Sequence, residues 1–181
     1  MDRFVLTGAP GSGKTAILRR LELDGLDVVE EAATDVIALA QAQGVDEPWQ
    51  QPDFTDTIAT LQRRRQLAAD RHRADRPVFF DRSPVCTYAL ALFLGHAVGP
   101  VLADELDRIR DEHTYERRVF FVVGQGFVTP TPARRITPAD AARFEELHVK
   151  VYRSLGYELV PIEPGPLDVR ADVVRAQTSA T

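Results

Sequence analysis

Short apolar runs alternate with stretches whose apolar residues recur every three or four positions. Residues 3–7 form a compact apolar run and predict a strand. Ile17, Leu18 and Leu21 then share one face of a helix over 14–21. A second strand is predicted over 26–30, closed by Glu30 and Glu31, and a helix over 32–43 stops at Gly44. Residues 45–53 hold two prolines and the only tryptophan, the composition of a loop. A long polar-rich helix over 54–75 precedes a β-type run over 77–81 that ends on Asp81. Helices over 84–94 and 100–112 lead to a fourth strand at 118–123. Residues 124–138 are rich in Gly, Pro and Thr and predict a loop carrying Arg134 and Arg135. A helix over 139–155 stops at Gly156, and 157–161 is the last predicted strand. Residues 1–175 are expected to form one domain, with 176–181 a disordered tail.

Five short apolar strands separated by helices predict an α/β fold: a five-stranded parallel sheet with helices on both faces, in three layers. Ligands of such sheets bind beyond the carboxyl ends of the strands. Three chemically suggestive features fall there: the glycine loop after the first strand, Glu30-Glu31 after the second and Asp81-Arg82 after the third.

Composition narrows the partners. The 181 residues are 44% hydrophobic and 27% charged, which suits one globular domain. The net charge of −5 gives no global field for nucleic acid. The one basic cluster, Arg63–Arg65 followed by Arg71, Arg73 and Arg76, is interleaved with Gln and Ala and predicts a solvated helix face. No nucleic-acid partner is expected. Cys86 is the only cysteine, which excludes an internal disulfide and a Cys-rich zinc site and predicts a small buried side chain. The longest apolar stretch, 84–94, is too short to span a bilayer, and no signal-peptide pattern precedes the first strand. The chain is therefore expected in the cytoplasm, without a membrane partner. The sequence allows a homodimer without requiring one.

Residues 8–15 read Gly-Ala-Pro-Gly-Ser-Gly-Lys-Thr, a complete G-x-x-x-x-G-K-[ST] match between a strand and a helix. Gly8, Gly11 and Gly13 allow a tight turn that brings backbone N–H groups against phosphate. Ala9, Pro10, Ser12 and Ala16 complete the cradle, and the helix N-terminus adds its positive end. Lys14 offers a point charge to the β- and γ-phosphates, and Thr15 a hydroxyl to Mg²⁺. Asp81, at the end of a strand, is the candidate second magnesium anchor; the alternatives are a helix cap or a pairing with Arg82. Arg82 stands where hydrolytic motors often carry a glutamate that activates water, and a cation there favours phosphoryl transfer. Glu31, beside Glu30, is the candidate base, although adjacent acids also suit a helix N-terminus. Arg134 and Arg135 are candidates for a closing loop over the transferred group. Trp49, Phe54 and Arg64 are candidate acceptor contacts; the alternative for the two aromatics is to pin the 45–53 loop to the core.

The motifs Gly8–Thr15, Val29-Glu30-Glu31-Ala32-Ala33, Phe79-Phe80-Asp81-Arg82-Ser83 and Phe144–His148 through Leu155–Leu159 resemble the NadR-like AAA/ATPase domain family, small P-loop kinase-like proteins that include a nicotinamide riboside kinase domain. The chain is also similar to deoxynucleoside kinases. The resemblance implies a nucleoside-kinase-like P-loop fold, with Glu31 as acceptor-side base, Asp81 as magnesium-side acid, Arg82 on the acceptor hydroxyl or phosphate, and Arg134 or Arg135 on a lid. Thr34 stands where family members often carry arginine, and residues 124–132 are richer in Gly and Pro than the family's lid.

The expected function is transfer of the γ-phosphoryl group of ATP to a nucleoside-like or other hydroxylated acceptor. The alternative is a nucleotide-binding ATPase or regulatory protein that hydrolyses slowly and has no small acceptor. A GTPase switch would need an Asn-Lys-x-Asp reader, and the chain contains no asparagine, which leaves GTP only as an alternative donor. An oligomeric motor would need a second acid after Asp81.

Overall fold

The computed structural model describes residues 2–72, 76–124 and 137–178. The chain runs β1 (Arg3–Thr7), α1 (Lys14–Leu23), β2 (Asp27–Val29), α2 (Ala32–Ala42), a 3₁₀ turn at Pro48–Gln50, α3 (Phe54–His72), β3 (Val78–Asp81), α4 (Pro84–Leu94), α5 (Pro100–Asp111), β4 (Arg118–Val122), α6 (Pro138–Ser154), β5 (Glu158–Ile162) and α7 (Leu167–Thr178). The strands form one parallel sheet in the order β2-β3-β1-β4-β5.

Alternation along each strand divides the core. Phe4, Leu6, Phe79, Phe120 and Val122 face α1 and α7, where they meet Ile17, Leu18, Leu21, Ala171 and Val174. Val5, Val78, Phe80 and Val119 face the other way, onto Val85 and Cys86 of α4 and Phe144, Val151 and Tyr152 of α6. Both faces of the sheet are thus covered, which is why its strands read as continuous apolar runs. Each fully buried Phe or Leu contributes about 1.5–3 kcal/mol to this packing. α5 starts after Gly99, which has no side chain to cap it. Asp56 of α3 does so instead, accepting from the N–H groups of Val101 and Leu102 at 3.3 and 2.9 Å.

β1 lies at the centre and its crossover leads to β2 on one side, while β3 beside it leads to β4 on the other. Neighbouring strands whose connections diverge leave a crevice at their carboxyl ends. Leu6 and Asp81 are in register at that point.

The C-terminal part departs from the sequence expectation. No helix was expected after the last strand, yet α7 follows Pro166 and buries Arg170, Ala171 and Val174 against α1. It continues to Thr178, whose hydroxyl donates to the Arg175 carbonyl at 2.8 Å, so residues 176–178 are helix rather than tail. Residues 179–181 lie outside the described residues.

Candidate active site

The glycine loop joins β1 to α1 by close backbone contact. Gly8, Gly11 and Gly13 all have positive φ, at 131°, 82° and 93°. A Cβ on Gly8 would sit 2.3 Å from the Val122 carbonyl oxygen of β4, so the loop rests directly on the sheet. Gly13 caps α1 in the left-handed conformation without any side-chain cap, which leaves the first turn of α1 and its dipole to an anion. Lys14 is buried and donates to the Gly8 and Ala9 carbonyls at 3.1 and 2.8 Å and to Ser12 Oγ at 3.3 Å. Burial, followed by the nearby Arg82, lowers its pKa to about 8 against the opposing pull of Asp81 and Glu31. Thr15 and Ala16 are exposed at the start of the helix. The Thr15 hydroxyl donates to Asp81 Oδ2 at 2.9 Å, while Asp81 Oδ1 is buried with no hydrogen-bond partner among the described residues. Burial raises the Asp81 pKa, with Lys14 working against it. Asp81 therefore neither caps a helix nor pairs with Arg82.

Across the crevice, the two adjacent glutamates separate. Glu30 is exposed and pairs with Arg19. Glu31 turns inward at the start of α2, where Oε1 accepts from Arg82 Nε at 2.5 Å and Oε2 from the Thr34 hydroxyl at 2.8 Å. Burial works to raise the Glu31 pKa, but Arg82, Lys14 and the two hydrogen bonds outweigh it and leave it below the usual value. Thr34, at the departure from the family pattern, thus holds the candidate base.

Arg82 has a φ of +74°, a left-handed conformation that costs free energy in any residue carrying a Cβ. Its N–H donates to the Leu6 carbonyl at 3.0 Å, which ties the strained residue to β1. Its Nη1 lies 3.3 Å from His148 Nε2. His148 is fully buried on α6, and its Nδ1 lies 2.8 Å from the Phe144 carbonyl. A carbonyl only accepts, so Nδ1 carries the proton and Nε2 is free to accept from Arg82. Burial, then Arg82, lowers the His148 pKa to about 3 and keeps the ring neutral. Arg82 itself is held charged despite its burial, chiefly by Glu31.

Glu31 and Arg82 border a cleft of about 120 Å³ whose other walls include Pro10, Gln62, Thr87 and Phe144. One ordered water needs roughly 15 Å³ on this measure, so the cleft holds several waters or one small ring. Thr87 donates to Gln62 Oε1 at 2.8 Å. Beneath the cleft, Tyr152 shares hydrogen bonds with Ser83 at 2.8 Å and Cys86 at 3.0 Å, and Cys86 with Thr7 at 3.2 Å. This buried polar chain ties α4 and α6 to the end of β1.

Lys14, Thr15, Glu31, Asp81 and Arg82 are brought together at the carboxyl edge of the sheet. Ala9 is buried within the loop, whereas Pro10 belongs to the cleft wall as well. Three acceptor candidates do not reach the cleft. Trp49 and Phe54 pack with Ala32, Ile37 and Ile58, holding the 45–53 connection to the core. Arg64 is exposed: two residues beyond Gln62, it falls on the opposite side of α3. Arg134 and Arg135 lie outside the described residues. The basic run on α3 is partly structural rather than a free solvated face. Arg65 donates to the Glu30 and Glu31 carbonyls at 3.0 and 2.9 Å and pairs with Asp35, and Arg63 lies 3.8 Å from buried Glu105. Arg65, His148 and Gln62 had no sequence signal as site residues, because each is placed by contacts 25 or more positions away.

A phosphate cradle leading from the central strand, facing a cleft with its own carboxylate, makes this a nucleotide-binding P-loop domain of the kinase-like kind. The chain belongs to the AAA domain family, whose model matches residues 3–170. No curated protein matches the sequence. Among solved structures, the chain is similar to deoxyadenosine kinase from M. mycoides with products dCMP and a flexible dCDP bound (TM-score 0.64, 10% identity, 99% of this chain and 100% of that one). The same kinase with bound dATP aligns at a TM-score of 0.60 and 13% identity, over 98% of this chain and 100% of that one. NadR protein in complex with NAD and AMP-PNP aligns at a TM-score of 0.66 and 15% identity, over 99% of this chain and 50% of that one, so the chain spans half of NadR. At these identities the likeness establishes the fold. No helix among the described residues is long and apolar enough to cross a membrane.

Proposed function

We propose that this protein is an ATP-dependent phosphotransferase that moves the γ-phosphoryl group to a hydroxyl of a small, nucleoside-like acceptor. The observation that carries this reading is the position of Glu31. It is a deprotonated carboxylate on the wall of a ring-sized cleft, held by Arg82 and Thr34 and facing the same crevice as the phosphate loop.

In this reading the acceptor hydroxyl oxygen attacks the γ-phosphorus, the bond from that phosphorus to the bridging oxygen of ADP breaks, and the hydroxyl proton passes to Glu31. A lowered pKa makes Glu31 a weak base. That suits a loose transition state in which the proton leaves late and the carboxylate mainly orients the hydroxyl. Arg82 and Lys14 place positive charge where the transferred group becomes most negative. Neutral His148 keeps Arg82 aimed without adding charge.

The donor set beside the loop fits magnesium. Asp81 Oδ1 is buried and without a hydrogen-bond partner among the described residues, with the Thr15 hydroxyl on the neighbouring oxygen, and a hard cation that retains its waters needs few protein ligands. Thr15 and Asp81 would hold the ion, which when bound would neutralise phosphate charge.

The similarity to a deoxyadenosine kinase and to NadR supports a nucleoside-type acceptor. The test is ADP release from MgATP in the presence of a panel of nucleosides, deoxynucleosides, nicotinamide riboside and aminoglycoside-like alcohols, with the product identified by mass. Release that depends on one acceptor and is lost in Glu31→Gln is the expected result. Slow release indifferent to every acceptor would sink the proposal in favour of a plain ATPase.

A further inference from the structure

α7 brings to the phosphate loop a charge that the Gly8–Thr15 motif does not contain. Arg170 is 3% exposed, and its Nη2 donates to the Ser12 carbonyl at 2.8 Å, across 158 residues of sequence. Its Nε is buried with no hydrogen-bond partner among the described residues. Among the described residues, no carboxylate offsets its charge, and burial alone acts on it. A buried, unpaired cation is costly. The attachment of α7 does not require it: Ala171 and Val174 pack on α1, and exposed ion pairs join Arg20 to Asp168 and Arg175 to Asp24.

The Ser12 carbonyl shares its peptide with the Gly13 N–H. Every described peptide is trans, so these two groups point in opposite directions. A carbonyl pinned on a guanidinium therefore aims the Gly13 N–H away from α7. The same contact polarises the peptide and makes that N–H a stronger donor. Gly13 is the cap of α1, where the loop meets the helix dipole.

We propose that Arg170 is a positioning residue for the nucleotide triphosphate: it fixes the Ser12–Gly13 peptide and holds a buried positive charge behind the phosphate loop. The proposal rests on the reading of Gly8–Thr15 as a phosphate cradle and is independent of the acceptor. Arriving phosphate supplies the anion that the buried cation lacks.

The test compares Arg170→Met, Arg170→Gln and Asp168→Asn with the wild-type chain by calorimetric binding of MgATP and by thermal unfolding with and without it. Arg170→Met is expected to bind MgATP roughly 10- to 100-fold more weakly, with loss of a charge-assisted contact. Its melting temperature without nucleotide is expected to be unchanged or higher, because an unpaired buried charge has gone. Asp168→Asn, which loosens only the surface of α7, is expected to keep wild-type affinity. A purely structural arginine gives the opposite pattern: lower melting temperature without nucleotide and unchanged affinity, which overturns the proposal. If Arg170→Met does not fold, Arg170→Gln gives the same reading, and wild-type affinity in that variant overturns it. Wild-type protein that binds no MgATP would remove the nucleotide reading altogether, whereas binding by the wild type and Arg170→Met alike would remove only the role of Arg170.

Discussion

Thr15 at the start of α1 hydrogen-bonds to Asp81 at the end of β3, at 2.9 Å and 66 residues apart in sequence. The contact closes one end of the crevice and leaves the second Asp81 oxygen buried, with no hydrogen-bond partner among the described residues. Asp81→Asn is expected to abolish the effect of magnesium on nucleotide binding. Wild-type affinity for ATP should rise by about tenfold or more when Mg²⁺ replaces EDTA, as a charge-assisted contact is gained. The variant should bind equally under both conditions. Equal magnesium dependence in the two proteins would take Asp81 out of the metal site.

Lys14 links nucleotide binding to pH. With its pKa near 8, the free protein has largely lost the Lys14 proton by pH 9. Phosphate favours the charged amine, so binding at pH 9 is expected to take up nearly one proton (~0.9), and binding at pH 7 close to none. MgATP titrations in buffers of different ionisation enthalpy measure this uptake directly. Affinity should fall as pH rises above 8.

His148 predicts the opposite dependence for stability. The unfolded imidazole takes up a proton near its ordinary value of 6.5, whereas the folded ring stays neutral down to about 3. Between those values the unfolded state holds the extra proton, so acidification costs stability, by up to about 1.4 kcal/mol per pH unit from this residue. His148→Gln keeps an acceptor for Arg82 but cannot take that proton. Its urea-unfolding free energy should therefore fall less than wild type between pH 6 and pH 4. A parallel decline would show that His148 does not titrate this way.

Gly8→Ala tests the contact between loop and sheet. The added methyl would meet the Val122 carbonyl at 2.3 Å in a backbone conformation that alanine disfavours. A loss of roughly 3 kcal/mol in stability, together with weakened MgATP binding, is expected. A chemical-denaturation curve superimposing on wild type would contradict this close approach.

What the sequence disclosed followed from how local each signal was. The strand, glycine loop and helix of residues 3–21 were legible because motif, turn and periodicity occupy one short stretch. Asp81 was legible as an acid ending an apolar run. The choice between Glu30 and Glu31 was not, since neighbours at the end of a strand point to opposite sides and only tertiary contacts with Arg19 and Arg82 identify which faces inward. Trp49 and Phe54 were open to two readings, because bulky aromatics border pockets and fill cores alike, and they pack into the core. α7 went unseen behind the Pro-Gly-Pro run at 164–166, although Pro166 before Leu167 and the spacing of Leu167, Ala171 and Val174 carried a helix signal. Arg170 and His148 act through contacts 158 and 66 residues away, which no local pattern encodes.

The left-handed backbone at Arg82 sets local strain against the contacts of its side chain. Glycine would adopt that φ of +74° without strain, and it would also remove a buried guanidinium. It would equally leave Glu31 buried without the guanidinium that holds its carboxylate. The relief of strain is therefore set against a buried ion pair broken from one side, which favours keeping the arginine. The strain in Arg82 is a free-energy penalty offset within the fold by its contacts with Glu31, His148 and the Leu6 carbonyl.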